Sequence, residues 1–160
     1  MSGRPQPITR AAPVEPVAGR YVVQVPVRWS DVDVFGHVNN ARTVTLLEEA
    51  RVQWMFTDAP AKGLQELTKG VVVASLTIDY RRAISFGDPV TVSMGVSHIG
   101  GSAFTIDYQV YAGADGDQLA ATASTVLVPV DASTFRARRL SAPERAFLQQ
   151  YRGTTDAGPR

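Results

Sequence analysis

The sequence contains no cysteine, which excludes a disulfide framework, thiolate chemistry and any Cys-ligated metal. Histidine is nearly as scarce. With only His37 and His98, a zinc site would need carboxylates for most of its ligands, and no such cluster stands out; we expect no metal and no bound cofactor. No run of about 18 apolar residues occurs, so no transmembrane helix is expected. The formal net charge of +1 gives no electrostatic case for nucleic acid or an anionic membrane as the main partner. The first residues lack the apolar core of a secretory signal, which makes the cytoplasm the expected location.

What is present is the composition of an ordinary globular chain: 160 residues, 44% hydrophobic and 19% charged. That length favours a single domain with one core. Residues 1–19, with Pro5, Pro7, Pro13 and Pro16, are expected to form a disordered arm. Residues 20–140 form the expected domain, and 141–160 a short helix and tail, with Ser141 and Glu144 placed as a capping box.

Within the domain, Tyr21 to Trp29 reads as a strand that Pro26 limits to an edge or bulge. A break from Ser30 to His37 follows, then a helix from about Asn39 to Thr57. At 100° per residue, Thr43, Val44, Leu47, Ala50, Trp54 and Met55 share an apolar face. Glu49 projects to water and Glu48 to the flank of that face, with Arg51 as a candidate ion-pair partner. Period-two patterning then runs through Val71–Ile84, Val90–Ile99, Phe104–Val110 and Leu119–Val130. Gly87-Asp88-Pro89 and Gly100-Gly101 separate the first three runs as turns, and Gly113 to Gly116 separates the last two. Four successive strands with one polar face imply an antiparallel meander. The expected class is α+β: a curved antiparallel sheet of about five strands wrapped around one long central helix. An open edge on such a sheet favours pairing into a homodimer, with a homotetramer as the further assembly.

The break concentrates Asp31, Asp33, His37, Asn39 and Asn40 at a strand-to-helix junction, the densest group of chemically capable side chains in the chain. The pattern Asp33-x-x-x-His37-Val38-Asn39-Asn40, followed by Leu46-Leu47-Glu48-Glu49-Ala50-Arg51, resembles the hotdog-fold thioesterases, in particular their 4-hydroxybenzoyl-CoA thioesterase-like branch. Tyr80-Arg81-Arg82-x-x-x-Phe86-Gly87-Asp88 is similar to that family's second strand and turn, and Asp131 fits the end of its last strand.

The resemblance implies a hotdog fold and hydrolysis of an acyl-CoA thioester, with an acyl-carrier protein as the second substrate class. It puts the attacking or water-activating acid on Asp33 and leaves Asp31 as a turn or structural partner. Backbone N–H groups from about His37 through Val38 and Asn39 to Asn40 would polarise the thioester carbonyl, where a helix N-terminus offers unpaired donors and a positive dipole end. Asn39 and Asn40 are both suited to capping, and Asn40, at the place where related enzymes carry a His or Asn, is open to a second role as a substrate or water ligand. His37 is open to three roles: base, substrate donor, or ordinary loop packing. Glu48 is either a second catalytic carboxylate or the structural partner of Arg51. Arg81 and Arg82 suit CoA phosphates or a solvated strand end, with Arg136, Arg138 and Arg139 behind them. Ser102 suits the pantetheine arm or a plain turn. Trp29, Phe35, Trp54 and Met55 are acyl-pocket or core residues. Two positions depart from relatives: Phe35 stands where plant acyl-carrier-protein thioesterases carry Asn, and Thr43 where many relatives carry Tyr. The rival readings are a non-catalytic acyl-CoA-binding module and a hydratase or dehydratase on the same fold.

Overall fold

A computed structural model describes residues 18–153. Its centre is α1 (Asn40–Gln53), which continues through a π-helical turn at Trp54–Asp58 into the short α2 (Ala59–Ala61). One antiparallel sheet packs against it, built from β1 (Tyr21–Gln24), β2 (Val71–Tyr80), β3 (Thr91–Ile99), β4 (Phe104–Ala112) and β5 (Gln118–Pro129). This is the hotdog arrangement expected from the sequence, a five-stranded sheet around one long helix. The disordered arm expected over residues 1–19 lies almost entirely outside the described residues.

The strand order is β1-β3-β4-β5-β2, which corrects the expected four-strand meander. Only β3, β4 and β5 follow one another through hairpins. β2 crosses to the far side of β5, pairing Val71 with Pro129 and Tyr80 with Ala121, and β3 takes β1 as its other neighbour. The physical reason is that residues 81–90 form a looping connection and not a hairpin turn. Within it, Val38 donates its N–H to Ile84 O at 2.8 Å and His37 bridges to Ser85. The connection is therefore spent on the start of the helix. Pro26 acts as expected: Val25 makes the last ladder bond, to Val90 O at 2.9 Å, and the chain then leaves the sheet for a 3-10 turn at Trp29–Asp31.

The inner face of the sheet carries Val92, Met94 and Val96 from β3 and Phe104, Ile106, Tyr108 and Val110 from β4, all buried. They pack on Leu46, Leu47, Ala50, Trp54 and Met55 of the helix, and each fully buried Leu contributes about 2 kcal/mol by removal from water. β2 has no fully buried residue, as befits an edge strand; only Leu76 and Ile78 keep the inward alternation beyond a register shift between Val73 and Ser75. Two arginines are buried as well. Arg20 donates to Ser93 Oγ and Asp107 Oδ2, each at 2.8 Å. Arg51 reaches Tyr108 Oη at 3.3 Å.

α3 (Ala142–Gln149) carries the expected capping box between Ser141 and Glu144. It docks by stacking Phe147 on Trp54, ring centroids 5.3 Å apart, with Tyr151 edge-on to both at 5.2 Å.

Candidate active site

The approach to α1 is built as a tight sequence of turns. Asp31 is buried, and its carboxylate accepts the Arg28 N–H at 2.8 Å while its carbonyl accepts the Asn39 N–H at 2.9 Å. That makes Asp31 the structural acid of the pair. Between them the loop closes on itself: Asp33 N–H donates to His37 O at 2.9 Å, and Gly36 N–H to Asp33 O at 3.0 Å. Gly36 supplies the left-handed backbone, φ +81°, that the closure needs. The Asp33 carboxylate is half-buried, and its Oδ1 accepts the Phe35 N–H at 2.9 Å.

Asn39 is the helix cap, its side chain accepting the Ala41 N–H at 2.9 Å; Asn40 is the first helical residue. Its backbone carbonyl receives the Tyr80 hydroxyl at 2.8 Å, a bond from the end of β2 that nothing in the sequence pattern announced. The donors of the junction can be accounted for one by one. Val38 and Asn39 give their N–H groups to Ile84 and Asp31, while Ala41, Arg42 and Thr43 give theirs to Asn39. Among the described residues, the His37 and Asn40 N–H groups have no acceptor.

These groups open onto a cleft of about 470 Å³, lined by Asp33, Phe35, His37, Val38, Asn40 and Thr43 from the start of the helix and the loop before it. Its other wall is Tyr80, Arg81, Arg82, Ala83 and Ile84, with Ala120 and Ala121 as the floor. Ala120 O holds that wall in place by accepting the N–H groups of both Arg81, at 2.8 Å, and Arg82, at 3.1 Å. The two guanidinium groups also border a second, open depression with Gln118 and Leu119. One carboxylate, one imidazole, a helix N-terminus with spare donors and two arginines therefore share one opening.

The remaining candidates lie elsewhere. Glu48 stands two turns up α1, about 12 Å from its start by helix rise, and does not line the cleft. Its side chain is 61% exposed and meets Arg51 only at 3.8 Å. The expected contrast with Glu49 is thus reversed: Glu49 is 28% exposed and pairs with Arg28 at 2.8 Å. The chain leaving β1 covers that flank of the helix, which a helical projection cannot register. Ser102 sits in the β3–β4 hairpin, at the end of the sheet away from Tyr80. Of the apolar candidates, Trp54 and Met55 are core and Trp29 packs edge-on to Phe86 at 5.3 Å on the surface, whereas Phe35, though exposed, lines the cleft. Arg138 is engaged with the buried Glu144 at 2.8 Å. No group of three or more potential metal-ligating side chains occurs among the described residues, and no helix among them is long and apolar enough to cross a membrane.

Comparison with known proteins places these features in context. Residues 27–150 match the Thioesterase-like superfamily. The long-chain acyl-CoA thioesterase FadM of Escherichia coli K12 is 29% identical over 127 residues, covering 79% of this chain and 96% of FadM. A thioesterase from Thermus thermophilus, solved with coenzyme A and Zn, is 32% identical with a TM-score of 0.69, over 80% of this chain and 90% of that one. The probable thioesterase YbaW of Escherichia coli superposes with a TM-score of 0.67 at 27% identity, over 82% of this chain and 97% of its own.

Proposed function

This chain belongs to the Thioesterase-like superfamily and is a thioester hydrolase, and from that premise we propose that it cleaves acyl-CoA thioesters at the Asp33 cleft. The observation that carries this reading is the shared opening of Asp33 and the spare Asn40 N–H at the start of α1.

In the proposed reaction the thioester carbonyl oxygen points at the Asn40 N–H, with the His37 N–H as a second donor. Charge develops on that oxygen as the carbonyl becomes tetrahedral, and the positive end of α1 stabilises it without reorganisation. Asp33 acts as nucleophile, forming an anhydride that water then opens, or as general base on the attacking water. In both routes its Oδ2 is the working oxygen, because Oδ1 is held by Phe35. The sulfur leaves as the CoA thiolate and takes up a proton from solvent. Arg81 and Arg82, on the cleft wall, receive the CoA phosphates in this reading, and the exposed ring of Phe35 borders the path of the acyl group.

The test is thiol release from short, long and aromatic acyl-CoAs by the wild type beside Asp33→Asn. Single-turnover hydrolysis in ¹⁸O-water separates the two roles. Label in the free acid after one turnover supports the base, and label in Asp33 with an unlabelled free acid supports the nucleophile, its anhydride opened by water at the Asp33 carbon. Equal thiol release by the two proteins would remove Asp33 from the mechanism.

A further inference from the structure

The structure assigns Tyr80 as a positioning residue that holds the first turn of α1, and with it the Asn40 N–H, in the orientation the thioester carbonyl needs. This rests on the reading of the cleft given above and extends it to a residue on a different element.

The bond itself is well formed: Tyr80 Oη donates to Asn40 O at 2.8 Å, joining residues 40 positions apart in sequence. Its donor end is rigid. Tyr80 is the last residue of β2, paired with Ala121, and the next two N–H groups both close on Ala120 O. The hydroxyl is therefore carried by a backbone that the sheet holds, and not by the helix it touches. Its acceptor end matters because of which peptide it is. The Asn40 N–H lies between two carbonyls. That of Asn39 is tied by the Arg42 and Thr43 N–H groups, at 2.9 and 3.0 Å, but those bonds belong to the helix and move with it. That of Asn40 is tied to the sheet by Tyr80. Removing the hydroxyl leaves the helix capped and its approach still tied at Val38 and Asn39, but releases the Asn40 peptide itself from the sheet.

Two further observations agree. Tyr80, Asn40 and Asp33 all line the same cleft, so the bond joins two residues of the opening in which the carbonyl would lie. Partial burial raises the Tyr80 hydroxyl above its usual value, so it remains a donor throughout the neutral range. The ring is 44% exposed, which argues against a purely core-packing role.

The experiment compares wild type, Tyr80→Phe and Asp33→Asn by steady-state thiol release and by amide hydrogen exchange. Tyr80→Phe keeps the ring and removes only the donor. We expect kcat to fall about five- to tenfold, as for loss of one well-placed hydrogen bond, with KM changed less than about twofold and the melting temperature within about 2 °C. Exchange at residues 41–43, whose N–H groups are bonded in the first turn, is expected to quicken while β3 and β4 are unchanged. An unchanged kcat, or a change confined to KM, would overturn the assignment and leave Tyr80 as a wall of the cleft. So would unchanged exchange at 41–43. A wild type that releases no thiol defeats the thioesterase reading of the cleft instead, and the exchange comparison still decides whether Tyr80 orders the helix start.

Discussion

Asp33 Oδ1 accepts the backbone N–H of Phe35, two residues on in the same loop, at 2.9 Å. The bond orients the carboxylate of a residue that lines the cleft and leaves its second oxygen without a protein donor among the described residues. Asparagine can reproduce that bond through its own Oδ1, which makes Asp33→Asn a clean probe. We expect it to fold with an unchanged melting temperature while kcat/KM falls by about two to four orders of magnitude, the range for loss of a positioned base. Thiol release and thermal denaturation on the same preparation check both halves.

Gly36 closes the loop that carries Asp33. A Cβ there meets no atom within 4 Å, but the backbone angle of φ +81° is one L side chains rarely adopt. Gly36→Ala is therefore expected to cost about 1 kcal/mol by backbone strain alone. Relaxation of that strain would displace the Asp33–His37 turn, so kcat should drop beyond what the stability loss explains. Denaturant unfolding beside steady-state kinetics separates the two effects.

Arg81 and Arg82 are predicted to act on binding and not on chemistry. The double change to Ala should raise KM for acyl-CoA about tenfold with kcat nearly constant, and weaken the dependence of KM on salt. Acyl-pantetheine, which lacks the nucleotide phosphates, should be hydrolysed equally by both proteins. A matching KM rise for acyl-pantetheine would show that the arginines shape the cleft instead.

How much of this was readable in advance depends on what each residue answers to. β3 and β4 were legible because Val92, Met94, Val96, Phe104, Ile106 and Tyr108 answer to one buried face and show it as strict alternation. The junction was legible because Asp33, His37 and Asn40 are close in sequence and lie at a strand-to-helix break. β2 alternates too, yet alternation does not say which neighbour a strand takes, and its pairing with β5 was missed for that reason. Glu49 and Arg28 are 21 positions apart, and Tyr80 and Asn40 are 40 apart; no local period registers such a pair. The buried Arg51 was hidden because its partner, Tyr108, lies on β4.

Glu144 offers a pH prediction. Burial pushes its carboxyl upward, but the Arg138 guanidinium, at 2.8 and 3.0 Å, and the Ser141 N–H outweigh that and hold it below its usual value. A lowered folded-state value means that the contribution to stability is complete above the unfolded value of about 4.3 and is lost as pH falls through the folded one. Glu144→Gln should thus cost about 2 kcal/mol at pH 7, as for charge-assisted hydrogen bonds. The difference from wild type should shrink as pH falls below about 4. Thermal melts of both proteins from about pH 7 to about pH 3 measure it.

The last prediction concerns assembly. β2 pairs with β5 on one side only and is ten residues long, an edge of a length that monomeric proteins commonly blunt. Along one side of α1 and its continuation, Val52 and Phe56 are also exposed, in line with Glu48. Two-fold pairing of β2 with β2 of a second copy would satisfy the edge and run the Tyr80 end of one strand beside the Val71 end of the other. It would bring the far end of one sheet, with Ser102, toward the other protomer's cleft. By that route Ser102 would approach a substrate bound at the other protomer's Asp33. We therefore expect sedimentation at twice the 17.2 kDa chain mass, or at four times if pairs associate. Val73→Lys, which puts a charge on the exposed edge, should shift the protein toward the single chain and lower activity in proportion to the dimer lost. A species at 17.2 kDa with full kcat would show that each protomer's cleft is complete and that Ser102 has no part in it.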